Sequence, residues 1–82
     1  MTLIEANKIL DELNDQAHDK CWDTWEFAGD DEELREEASS IQQMEFDTLF
    51  GNLIPYQQIY ILKLCLIDED LKEQYKTYSG WE

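Results

Sequence analysis

The run Ile59-Tyr60-Ile61-Leu62-Lys63-Leu64-Cys65-Leu66-Ile67 decides the fold of this chain. Nine residues with one charge suit either a buried strand or the middle of a helix, and periodicity does not separate the two in so short a run. The flanking sequence favours the helix. Pro55 stands four residues upstream, where a proline opens a helix at its first position. Tyr60, Leu64, Ile67, Leu71, Tyr75 and Tyr78 recur every three or four residues straight through the run, as one face of a helix does. A lone strand would find no partner here, and Val, a leading strand former, is absent from the chain. The helix is expected to run from Pro55 to Tyr78, with Asp68 as the alternative cap of a separate helix. Ile59, Leu62 and Leu66 form a second apolar face on the same segment. A helix apolar on two faces is either central in a bundle or shared with another chain.

Upstream, Thr2 and Glu5 have the spacing of a capping box. Leu3, Ala6, Leu10, Leu13, Ala17 and Cys21 follow at helical spacing. One helix is expected to reach Ala28, with Gly29 ending it in the left-handed conformation and Asn14-Asp15 as the alternative break point. Asp30 is the expected cap of the second helix, with Glu33 at the reciprocal position. Leu34, Ala38, Ile41 and Leu49 give that helix its stripe, and Gly51-Asn52 ends it. The expected fold is all-α, a small bundle of three to four helices forming a single domain over residues 1–82.

Charge narrows the function. Twenty acidic residues against six basic ones leave a net charge of −14. Direct nucleic-acid binding needs clustered Lys and Arg and is excluded as an expectation; an anionic membrane surface is disfavoured for the same reason. The apolar run is too short to span a bilayer, and no signal peptide is read at the N-terminus. Cys21 and Cys65 lie far apart with no Cys-x-x-Cys. They read as buried thiols of a reducing compartment, so a cytoplasmic location is expected.

The acids are ordered. At about 100° per residue, Glu5, Glu12, Asp15, Asp19, Asp23 and Glu26 fall within an arc of about 80° opposite the apolar stripe. Only Lys8 interrupts them. On one unbroken helix, Glu12 to Glu26 is a row about 21 Å long. Glu32, Glu33, Glu36 and Asp47 belong to the solvent side of the second helix. Residues 1–29 carry two bases and seven acids, residues 30–50 one and eight, and residues 51–82 three and five. The first fifty residues therefore hold most of the charge. Like charges three or four apart cost about 0.2–0.5 kcal/mol per pair, so Glu12–Asp15, Asp15–Asp19, Asp19–Asp23 and Asp23–Glu26 together cost about 1–2 kcal/mol at low salt. The plain account of such a face is solubility. The functional one is that a carboxylate row imitates a phosphate backbone and steers a basic groove onto itself.

Trp22 and Trp25 flank the acidic arc, with Phe27 close by. They either cover the edge of the core or anchor a partner at the rim of the patch. Trp81 is either tucked back or part of a contact surface.

Catalytic and metal signals are weak. His18 and Cys21 are one turn apart, with Asp15 a turn earlier, but structural zinc needs four ligands at recognisable spacing. As a nucleophile pair, His18 and Cys21 would point about 60° apart on one helix. Asp30 to Glu33 lacks the pattern of a calcium loop, and no Gly-rich phosphate loop is present. No enzyme, cofactor or metal is expected. Acyl carrier proteins are similarly short, acidic and helical. Their Asp-Ser-Leu at a helix start has no counterpart here, because Ser39-Ser40 follows Ala38 well inside a predicted helix.

The leading expectation is an inhibitor that mimics nucleic acid and occupies the basic site of a nucleic-acid-binding protein or nuclease. In this it looks like small phage or mobile-element proteins and immunity proteins. Glu12, Asp15, Asp19, Asp23, Glu26, Glu33 and Glu36 would supply the field, and Trp22 and Trp25 the short-range anchoring. The alternative is a helical adaptor, or a homodimer formed through Ile59, Leu62 and Leu66.

Overall fold

A computed structural model describes residues 1–80. Trp81, singled out above, lies outside the described residues. Five helices follow one another: α1 (Leu3–Lys20), α2 (Trp22–Ala28), α3 (Glu32–Gly51), α4 (Pro55–Ile67) and α5 (Glu69–Ser79). No strand occurs among the described residues. Among the described residues the fold is all-α as expected, but with five helices rather than three to four.

Both additional helices come from breaks in segments expected to be continuous. The first break is at Cys21, not at Asn14-Asp15. Cys21 leaves helical geometry at φ −100°, ψ 10°, and its N–H is shared between the carbonyls of Ala17 and His18. The side-chain contacts supply the reason. In an unbroken helix Trp25 would lie about 90° from the centre of the buried stripe. After the break it leans on α3, where its indole N–H donates to Gln42 Oε1 at 2.8 Å.

The second break is at Asp68. Its carboxylate accepts from the Leu71 N–H at 2.9 Å, which caps α5. The break reassigns the stripe of the third segment. Ile61 and Cys65 are the buried residues of α4, while Tyr60 and Ile67 face out, Ile67 at 80% exposure. Of the stripe expected through Tyr60, Leu64 and Ile67, only Leu64 packs against the core, while Leu71, Tyr75 and Tyr78 continue it on α5 as expected.

The remaining ends follow local chemistry. Thr2 Oγ accepts from the Glu5 N–H and caps α1. Gly29 adopts φ +52°, a region closed to most side chains. The turn after it is closed by Asp31 N–H to Ala28 C=O. This uses up Asp30, so the cap of α3 is Asp31, one residue later than expected, accepting from the Leu34 N–H. Gly51 ends α3, and Gln58 Nε2 donates back to the carbonyls of Gly51 and Leu53. Pro55 opens α4 as read from the sequence.

The core joins Ala6, Leu10, Leu13 and Ala17 of α1 to Phe46 and Phe50 of α3, Ile61 and Cys65 of α4, and Leu71 of α5. The α1 stripe is as expected except for Leu3, which is exposed. The α3 stripe is met in part: Ala38 is buried and Leu49 packs against the core, but Ile41 is exposed and the two phenylalanines carry most of the packing. Their preference has a physical source: Tyr75 and Tyr78 of α5 pack on them, with ring centroids 5.2 Å apart for Phe50–Tyr75 and 5.7 Å for Phe46–Tyr78.

Candidate functional site

The acidic surface is built on the faces of α1, α2 and α3 turned away from this core. Burying Ala6, Leu10, Leu13 and Ala17 forces Glu5, Glu12, Asp15 and Asp19 into water, and all four are exposed. From Glu5 to Asp19 is fourteen residues, so α1 alone carries a straight row about 21 Å long. Asp23 and Glu26 are also exposed, but they ride on α2 beyond the break at Cys21. The single rod expected from Glu12 to Glu26 is therefore two helices, and Asp19–Asp23 is not an in-helix neighbour pair. On α3, Glu33 and Glu36 are exposed on the side away from Ala38 and Phe46.

None of Glu12, Asp15, Asp19, Asp23, Glu26, Glu33 and Glu36 forms a side-chain hydrogen bond or an ion pair among the described residues. The ion pair present there joins Lys20 Nζ to Glu45 at 3.6 Å, away from the row. The seven carboxylates are thus exposed without a bonded counter-charge, with Lys8 and Arg35 as the nearby bases on α1 and α3.

The two tryptophans separate into different roles. Trp25 is half-buried. Its N–H is held by Gln42 Oε1, Gln42 Nε2 donates in turn to Asn14 Oδ1 at 3.0 Å, and the Arg35 guanidinium lies 5.6 Å from its ring centre. Arg35 also donates to the Gly29 carbonyl, bracing the α2–α3 turn. Trp25 is therefore a structural pin whose outer edge, with Glu32, Arg35, Glu36 and Ser39, lines a shallow depression. Trp22 is 51% exposed and meets the His18 ring edge-on at 5.6 Å. Phe27 is more exposed still, at 79%. Trp22 and Phe27 are the aromatics available beside the carboxylates.

Both thiols are buried, and burial pushes each above its ordinary range, helped by Glu45 near Cys21 and by Asp68 near Cys65. A thiol held protonated is a weak nucleophile and a weak metal ligand. Among the described residues no group of three or more His, Cys, Asp or Glu is arranged to hold a metal ion, and no helix is long and apolar enough to cross a membrane.

Two features go beyond the sequence reading. Asp11 is tied down rather than free: it accepts from Tyr78 Oη at 2.6 Å and from Gln74 Nε2 at 2.8 Å, which fastens α5 to α1. No sequence signal pairs residues so far apart. The second feature is a groove of about 650 Å³ between α4 and α5. Its floor includes Ile59, Leu62, Leu66 and Tyr75, and three lysines line it. The second apolar face of α4 had announced the floor; the lysines could have been found by noting that residues 51–82 hold three of the six bases.

Comparison with known protein families, curated proteins and solved structures finds no match to this chain.

Proposed function

We propose that the protein acts by binding, as an acidic inhibitor that occupies the basic site of a nucleic-acid-handling protein. The observation that carries this reading is the carboxylate face of α1, free of ion pairs among the described residues, together with the exposure of Asp23 and Glu26 on α2 and of Glu33 and Glu36 on α3. Such a face costs helix stability through like-charge repulsion, and among the described residues none of its carboxylates is held in an ion pair, although Lys8 interrupts the row on α1. A row about 21 Å long on one straight helix presents spaced negative charge much as a duplex edge does, and a cationic groove built for phosphates would be drawn to it. Trp22, half out of the surface beside the row, supplies apolar contact once the charges have aligned.

The test is capture from a lysate on immobilised protein, followed by elution with salt and, separately, with duplex DNA. A basic partner released by both is expected. A partner that resists high salt, or that DNA does not displace, contradicts the reading.

A second reading has its own support. Ile59, Leu62 and Leu66 are exposed on α4, Leu66 at 84%, so the protein is alternatively an adaptor that docks through this apolar face.

A further inference from the structure

The α4–α5 groove is apolar along its floor and cationic along its edges. Ile59, Leu62 and Leu66 stand at i, i+3 and i+7 on α4, the spacing that receives the ridge of another helix. Lys63 on α4 and Lys72 and Lys76 on α5 line the same groove, and no carboxylate lines it. These are half of the six basic residues in a chain with twenty acids. Even so, none of the three forms an ion pair among the described residues. With so many acids in the chain, lysines left unpaired around an apolar trough form a surface complementary to something apolar and negative.

A second copy of the chain meets this surface poorly. A two-fold axis through the groove would set lysines against lysines, and a head-to-tail copy would bring a full charge of −14 against another, where a single short helix brings only its own few carboxylates. We infer that the groove is a docking site for an acidic amphipathic helix of a partner protein. Its leucine-type ridge would lie on Ile59, Leu62 and Leu66, and its flanking carboxylates would reach Lys63, Lys72 and Lys76. This rests on the second reading above and is independent of the carboxylate face.

The test uses the whole chain, isotopically labelled, and two synthetic amphipathic helices of about 18 residues. Both carry the same leucine ridge; one is flanked by Glu, the other by Lys. Amide shifts are followed at about 0.15 M salt, where charges more than about 8 Å apart are screened. The Glu-flanked helix is expected to perturb Ile59, Leu62, Cys65, Leu66, Lys72 and Tyr75. It should bind there at least tenfold more tightly than the Lys-flanked helix, whose shifts should fall on Asp15, Asp19 and Glu33 instead. In the double variant Lys72→Glu, Lys76→Glu the preference at the groove should reverse. Equal affinity of the two helices at the groove, or no groove shift with the Glu-flanked helix, overturns the inference. So does a dimer in sedimentation equilibrium that Leu66→Glu dissociates, or perturbation of the groove by palmitate but not by the helix; those two results would leave the second reading standing with another occupant. If neither helix, palmitate nor self-association engages the groove, the second reading falls with the inference.

Discussion

The phenol of Tyr78 donates a 2.6 Å hydrogen bond to Asp11 Oδ1, joining the last helix to the first. The same carboxylate also receives the Gln74 amide, and the Tyr78 ring packs on Phe46. One side chain thus contributes to both the core and its polar seam.

Tyr78→Phe keeps the ring and removes the donor. A net loss of about 0.5–1.5 kcal/mol is expected, read as a lower urea midpoint at unchanged slope. The pH dependence has a definite sign. The bond to Asp11, aided by burial, holds the Tyr78 phenol above its ordinary range. Its stabilisation is therefore complete below about pH 10, the unfolded value, and is lost as pH rises through the higher folded one. The variant should show a shallower alkaline decline than the parent. Some decline should persist, because burial, with Asp47 nearby, also raises Tyr75.

Phe46 is fully buried and touches Phe50, Tyr75 and Tyr78. Phe46→Ala should cost about 3–5 kcal/mol, a large share of the total stability of a domain this size. Calorimetry should show a broad, early transition or none. Ile41→Ala, on the same helix but partly solvated, should cost far less.

Trp22 and Trp25 should behave oppositely. Trp25→Phe strands Gln42 Oε1 and should lower stability by about 1 kcal/mol. Trp22→Ala should leave the melting temperature nearly unchanged. Its expected effect is on a captured basic partner, with an affinity loss of about 2 kcal/mol if it anchors the contact. Calorimetric titration beside a thermal melt separates the two cases.

Asp19→Lys with Asp23→Lys should raise stability by at most a few tenths of a kcal/mol, because Asp15–Asp19 and Asp23–Glu26 repulsion is relieved while the first turn of α2 loses an acid that its N-terminus favours. The gain is smaller than an unbroken helix would give, since Cys21 separates Asp19 from Asp23. Association with a basic partner should slow more than dissociation quickens. Stopped-flow mixing at two salt concentrations measures both rates; an unchanged association rate would remove the electrostatic role assigned to the row.

Much of this molecule was legible because local chemistry dictated it. The α1 stripe of Ala6, Leu10, Leu13 and Ala17 repeats at helical spacing, and its burial fixes the outward direction of Glu12, Asp15 and Asp19. Pro55 and Gly51-Asn52 mark ends that only such residues favour. The break at Cys21 carries no Pro or Gly, and it answers to Gln42, which is far away in sequence. The division at Asp68 was open because both alternatives share one repeat. Ile41 and Phe46 are both apolar, and only the tyrosines of α5 select Phe46. Of the candidate surface, the exposure of its carboxylates was readable. That Trp25 covers the edge of the core was one of two open readings, and its partners Gln42 and Arg35 were not readable, because they lie far away in sequence on α3.

Helix α2 has seven residues, too few to persist on its own in water. It is held by an amide on α3 that cannot be turned over: Gln42 must offer oxygen to Trp25 and nitrogen to Asn14 at once. Arg35 adds its hydrogen bond to the Gly29 carbonyl and its place by the Trp25 ring, and Ala28 is buried, so Asp23 and Glu26 ride on a short element fastened through α3. The far end of the negative strip is thus positioned from another helix, whereas its longer part on α1 is positioned by the core directly.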